Sequence, residues 1–345
     1  MRPSDLSTTL RALFETRQPS LVSGPPGAGK TSIAFQAASS IFNGVTFRST
    51  VGGMPSYPWW LPISATDKDP VDLKGLPYVK DGCTLWSKPE LISQLDPAGG
   101  VLCIEELPQA TAAVQCVLRE LLLDRSIGRH RIPDTWTVMA TGNRQEDRAG
   151  AGKLLTHVAS SVVLLNIEIS NEDWQAWAAA AGVSVKVRSF LNFKPDRLHQ
   201  FNPSKLKNTD PRGWERVSII QDAIPAHLKF EVFSGCVDDG PAAEYISFCE
   251  LFDKLPKPED VLSSPETVAV PKELSVLHAL TGSLVEHAKT ANDSTLSNLA
   301  KFAGRMPAEF ATLLMRDTLA VQPRLMNLPA AATWLRENRD LLLAR

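Results

Sequence analysis

Residues Gly24-Pro25-Pro26-Gly27-Ala28-Gly29-Lys30-Thr31 match the pattern G-x-x-x-x-G-K-[ST] at every fixed position. Glycines at this spacing let backbone N–H groups turn inward around phosphate oxygens. A helix starting at Lys30-Thr31-Ser32 would add partial positive charge at the same point. Lys30 can then reach the outer phosphates of a nucleoside triphosphate, and the Thr31 hydroxyl can ligate Mg²⁺. A second candidate lies at Val101-Leu102-Cys103-Ile104-Glu105-Glu106. Four apolar residues ending in two carboxylates read as a buried parallel strand that carries acids to a sheet edge. Glu105 is assigned to the metal side and Glu106 to orienting and deprotonating an attacking water. Alone, such a pair reads as solvated acids at a strand end; its place downstream of the glycine loop gives it weight. A third apolar run, Trp136–Thr141, ends in Gly142-Asn143 and would bring a polar amide to the same edge. Asn143 can position a water there, although by itself it reads as a turn asparagine.

These side chains need a scaffold. Leu6, Leu10, Leu13 and Phe14 fall at helical spacing within residues 4–17, ahead of a short strand at Ser20–Ser23. The glycine loop follows, then a helix to about Ser40 and a second strand at Val45–Ser49. Residues 50–100 read as irregular because prolines recur through them. Trp59 and Trp60 within that region either line a partner surface or pack over the core. Ala110–Asp124 is an amphipathic helix, Arg125–Arg129 a turn or short hairpin, Gly150–Ala159 a helix and Val162–Ile169 a strand. Five strands alternating with helices define an α/β fold, a P-loop parallel five-stranded sheet with helices on both faces. From Asn171 onward the pattern is helical: Glu172–Ala181, Val185–Leu191, a helix opened by Asp210-Pro211-Arg212 with Asp210 as N-cap, and Ala242–Leu255. A proline-punctuated linker, Pro256–Pro271, precedes closing helices at Glu273–Lys289, Ser294–Val321 with a break near Met306-Pro307, and Ala330–Leu343. The expected domains are a nucleotide-binding α/β domain over 1–170, an all-α lid over 171–260 and a C-terminal helical extension over 261–345.

The totals narrow the function classes. With 345 residues, 43% of them hydrophobic, the chain can bury a sizeable core. Its 36 basic and 38 acidic side chains give a net charge of −2, no global reason to expect tight nucleic-acid binding. Cys83, Cys103, Cys116, Cys236 and Cys249 form no C-x-x-C pair and read as reduced packing residues of a cytoplasmic protein. The first residues carry no apolar signal core, and no run of 18 apolar residues suggests a membrane span.

Taken in order, the motifs resemble those of the AAA+ ATPases, and within them the MoxR-type branch. Gly24–Thr31 resembles Walker A, Val101–Glu106 Walker B, Thr141-Gly142-Asn143 sensor 1, and Thr209-Asp210-Pro211-Arg212 the start of the sensor 2 helix. Asp69–Pro77, on composition a loop, looks like the Asp-Leu-x-Gly loop that lies near the central pore in that branch. Ser189–Asn208 and Pro211–Ile220 are similar to phage- and prophage-associated members. The resemblance implies a homo-oligomeric ring, commonly a hexamer, with ATP and Mg²⁺ between subunits and Arg212 sensing the γ-phosphate. It also implies a remodelling chaperone acting on a partner, in such systems often one with a von Willebrand factor A domain. Two positions depart from the pattern. Glu105 stands where the family usually has aspartate. The stretch Thr156–Val162, where an arginine finger is usual, has Ser161 and no arginine. Arg148, then Arg144 and Arg125, are the nearest arginines to act across an interface. The missing finger leaves open a nucleotide-gated scaffold with weak hydrolysis; a DNA-directed motor fits the charge balance less well.

Overall fold

Strands that read as unbroken apolar runs need cover on both faces, and a central parallel sheet between helices supplies it. The computed structural model describes residues 1–42, 57–144, 152–202, 204–252, 255 and 258–338. The expected strand at Val45–Ser49 and the candidate Arg148 lie outside the described residues. The chain divides into two units, the first comprising Met1–Asp173 with Phe201–Leu206 and Asp210–Arg212, the second the remainder.

In the first unit, helix α1 (Pro3–Glu15) leads to strand β1 (Ser20–Ser23) and, after the glycine loop, to α2 (Lys30–Phe42). Then come β2 (Trp60–Ser64), α3 (Pro70–Lys74), a hairpin of β3 (Pro77–Lys80) and β4 (Cys83–Trp86), and α4 (Glu90–Ser93). Strand β5 (Gly100–Glu105) is followed by α5 (Ala112–Asp124), a small hairpin of β6 (Ser126–Ile127) and β7 (His130–Arg131), and β8 (Trp136–Gly142). Helix α6 (Thr156–Ala159) and β9 (Val163–Asn166) complete it. Five strands form one sheet in the order β2-β5-β8-β1-β9, all parallel. Successive residues of a strand face opposite sides. Leu102 and Ile104 accordingly join Val138 and Ala140 in a core with Val114, Leu118 and Leu121 of α5. Val101, Cys103 and Met139 face the other way, onto Leu6, Leu10, Phe14, Ala34 and Phe35 of α1 and α2. The fold is the expected P-loop α/β sheet with helices on both faces.

Residues 57–100 correct the expectation of irregular chain. Trp60–Ser64 is a strand paired with Val101–Glu105, and its Pro62 is tolerated because, among the described residues, it is an edge strand. Trp59 and Trp60 are buried, with ring centroids 5.3 and 5.4 Å from that of Phe35. They are core residues behind the loop's helix. Within Asp69–Pro77 the chain forms α3, with Leu73 buried; Gly75 takes a positive φ of 85° against the Ser87 carbonyl. The hairpin beyond it exposes Val79 and Trp86. Of the helix expected over Gly150–Ala159, the described residues form helix at Thr156–Ala159; ahead of it Gly152 lies against the Pro108 carbonyl, and Leu154 and Leu155 pack on the core. None of the five cysteines is in a disulfide, but Cys83 and Cys116 are exposed rather than packed.

The second unit is helical: α7 (Asn171–Ala181, beginning in the first unit), α8 (Val185–Phe193), α9 (Pro211–Ile220), α10 (Lys229–Val237) and α11 (Asp239–Phe252). Helices α12 (Pro258–Ser263), α13 (Leu274–Ala288), α14 (Asp293–Ala303), α15 (Ala308–Val321) and α16 (Pro329–Glu337) follow. Helix α12 falls where a linker is expected from proline spacing; Pro258 is its first residue, where a missing N–H costs nothing. Phe190, Trp214 and Tyr245 form one aromatic cluster, and Leu280, Leu296, Phe302, Phe310 and Leu314 a second core. Among the described residues no helix is long and apolar enough to cross a membrane.

Two measurements check this packing. Trp60→Ala should cost about 3–5 kcal/mol, read as a lowered Tm; an unchanged Tm would remove Trp60 from the core. In the second unit, burial pushes the His278 imidazole down from 6.5 to about 4. The unfolded chain therefore takes up a proton first, and stability falls as pH drops from about 6.5 toward 4. Hydrogen bonding from Arg197, then Lys194, holds Glu244 at about 2 against an ordinary 4.5, extending the loss to lower pH. His278→Phe should flatten the upper part of that pH dependence in denaturant unfolding; an unaltered slope would refute the assignment.

Candidate functional site

The sheet order sets the site. Strand β1 lies beside β8, and β8 beside β5, with Ser23 opposite Gly142 and Ile104 opposite Ala140. Three chain segments therefore leave the same C-terminal edge together: the glycine loop, Gly142-Asn143 and Glu105-Glu106. The Gly24 N–H donates to the Gly142 carbonyl at 3.3 Å, which ties the loop's first residue to β8. Gly24 also lies so close to Ile167 that a Cβ would stand 2.3 Å from its Cγ2. Gly27 and Gly29 take φ of 73° and 80°, the left-handed region that glycine enters at no cost. Helix α2 then begins at Lys30.

Lys30 turns back over the loop. Its ammonium donates to the Gly24 and Pro25 carbonyls and to Asn143 Oδ1, each at 2.9 Å. The lysine and the asparagine, 113 residues apart in sequence, thus meet directly. The Thr31 hydroxyl hydrogen-bonds the Glu105 carboxylate. Burial pushes Glu105 above the ordinary glutamate range of 4.5; the Thr31 bond opposes this, the Glu106 charge adds to it, and the Arg212 charge lowers it.

Glu106 has a different environment. It is exposed, with φ 57° and ψ 33°, a left-handed conformation that costs a non-glycine residue about 1–2 kcal/mol. This turns the chain sharply out of β5 into a 3₁₀ turn at Leu107–Gln109 and carries the carboxylate off the sheet edge. Such outliers persist where the surroundings enforce them, and they cluster at working sites. Here Pro108 presses on Gly142, where a Cβ would come within 2.3 Å of the proline Cδ. The Glu106 Oε2 accepts a hydrogen bond from Thr66 Oγ1 at 3.3 Å, and Thr66 shares one with Ser64 at 2.9 Å. Sequence reasoning missed Ser64 and Thr66. Their signal was a polar pair ending an edge strand, hidden by the surrounding prolines.

Ser32 occupies the first turn of α2. Asp210 and Arg212 belong to the first unit, at the start of α9, with the Asp210 carboxylate against Gly27. Of the arginines named as interface candidates, Arg125 donates to the Pro133 and Trp136 carbonyls at 2.9 and 2.7 Å and is committed within its own unit. Arg144 follows Asn143 directly. After α6, the Ser160 and Ser161 hydroxyls both donate to the His157 carbonyl, at 3.0 and 2.8 Å.

Among the described residues no cluster of three or more His, Cys, Asp or Glu side chains could hold a metal by itself. Thr31 and Glu105 offer two hard oxygens in mutual contact, one on a half-buried carboxylate that a cation would relieve. That set fits Mg²⁺, which takes one or two protein oxygens and completes its shell with water and phosphate.

No family model matches the chain, and no curated protein matches it. Among solved structures it is similar to NtrX from Brucella abortus in complex with ADP, at 11% identity over 98% of this chain and 68% of that one, with a TM-score of 0.36. It is also similar to a RuvB variant from Thermotoga maritima (16% identity, 81% and 79% covered, TM-score 0.34) and to a putative ATPase from Cytophaga hutchinsonii (14%, 96% and 88%, 0.34). At these identities and scores the likenesses are remote.

Because Glu105 binds its proton more tightly folded than unfolded, its contribution to stability is present below about 4.5 and lost as pH rises through its raised folded value. Glu105→Gln should therefore raise Tm at neutral pH, with the difference from wild type closing in acid. A lower Tm at neutral pH would show that the carboxylate is needed for the fold.

Proposed function

We propose that the protein binds and hydrolyses ATP as an AAA+ ATPase of the MoxR type. It would work as a homo-oligomeric ring, with a hexamer as the expected size. The observation that carries the reading is the meeting of Lys30, Asn143 and the Thr31–Glu105 pair at the edge where the glycine loop leaves β1. The loop's N–H groups and Lys30 bind and orient the phosphates, and Lys30 exchanges its bonds to the Gly24 and Pro25 carbonyls for phosphate oxygens. Mg²⁺, held by Thr31 and Glu105, would supply charge neutralisation at the phosphates. Asn143 positions the attacking water. Glu106 accepts its proton, a role suited to an exposed carboxylate that the backbone turns off the sheet edge. Arg212 reads the γ-phosphate from the start of α9, and the helical second unit serves as the lid. The work done is the remodelling of a protein partner, with a von Willebrand factor A domain protein as the partner class.

One observation favours a second reading, a nucleotide-gated scaffold that hydrolyses weakly. The turn after α6 offers serine hydroxyls where an arginine would stabilise charge in trans, and Arg125 is committed elsewhere. Loss of an arginine finger costs roughly 10³-fold or more in rate.

Lys30→Ala should abolish ATP binding in equilibrium titration; retained affinity would refute the nucleotide site. Glu106→Gln should bind ATP normally yet lower steady-state turnover by about 10²-fold or more. Equal and negligible turnover in wild type and Glu106→Gln would decide for the scaffold.

A further inference from the structure

The Asp210 carboxylate rests on the glycine loop itself. A methyl group placed on Gly27 would come within 2.6 Å of the Asp210 carboxyl carbon and 2.9 Å of its Oδ2. Gly27 is one of the two left-handed glycines that shape the loop. A concavity of backbone N–H groups over a helix start attracts anions. Here an anion belonging to the chain stands against Gly27 of that loop. The surrounding charges sharpen the point. The Glu106 and Arg212 charges both act on Glu105, and Lys30 already serves two carbonyls and Asn143. A nucleotide would add several negative charges beside the Asp210 carboxylate.

We propose that Asp210 sets nucleotide affinity by opposing phosphate charge at the Gly27 turn. Phosphates settle in the loop only against this repulsion, so the affinity of the natural chain lies below what the loop and Lys30 alone would give. Asp210 also precedes Pro211 at the start of α9, the N-cap position. Asparagine caps a helix as well as aspartate does, and serine nearly so. Asp210→Asn therefore removes the charge and keeps the cap, which separates the two roles.

The inference rests on the nucleotide reading of the loop, and the test distinguishes their failures. A fluorescent ADP analogue is titrated into the full chain as wild type, Asp210→Asn, Asp210→Ser and Lys30→Ala, at low and high salt. Asp210→Asn and Asp210→Ser should bind about five- to ten-fold more tightly than wild type at low salt, with the gap shrinking as salt screens the charge. A purely structural role for Asp210 could only loosen binding. Unchanged or weaker binding in both Asp210 variants, with binding lost in Lys30→Ala, overturns the role of Asp210 and leaves the phosphate loop standing. Wild-type binding in Lys30→Ala overturns the nucleotide reading itself.

Discussion

The site depends on one constraint: β1 must lie beside β8, and β8 beside β5, in parallel and in register. Only then do Gly24, Asn143 and Glu105 leave the sheet at one edge, and only then can the Lys30 ammonium bridge from its own loop to Asn143. That pairing is enforced from both faces. Alternate residues of the same strands supply two separate cores, so a one-residue slip would send Cys103 and Met139 into the core built for Leu102 and Val138. Precision at the polar edge is therefore secured by apolar packing well away from it.

The two adjacent glutamates show how environment divides labour between identical side chains. Glu105 ends the strand in regular geometry, part-buried and bonded to Thr31, where its charge is costly until a cation shares it. Glu106, one residue on, is turned out by a left-handed backbone into contact with Thr66. Nothing in the pair Glu-Glu dictates which does what; the backbone angle at Glu106 and the depth of Glu105 do.

Much of this was legible in the chain. The glycine loop is a local pattern whose neighbours in sequence are also its neighbours in space, and the strands at 20–23, 101–105 and 136–142 are runs that only a doubly covered sheet can bury. Residues whose role depends on distant partners were harder to read. Trp59 and Trp60 could not be placed because their partner, Phe35, lies on the helix after the loop. Strand β2 was hidden by prolines that exclude a central strand but not an edge one. Thr66 acquires meaning only once β2 lies beside β5. Asp210 reads as a helix cap from its neighbours, and its approach to Gly27 is visible only in three dimensions.

The contact between Pro108 and Gly142 has a mechanical consequence. The turn that aims Glu106 bears, with no side chain between, on the backbone that aims Asn143. A rigid pyrrolidine ring against a bare α-carbon has almost no slack, so the two residues are carried on a single lever. A displacement of β8 at Gly142 is passed on to the turn carrying Glu106 rather than absorbed. The carboxylate and the amide are thus aimed together, and neither can be retuned without moving the other.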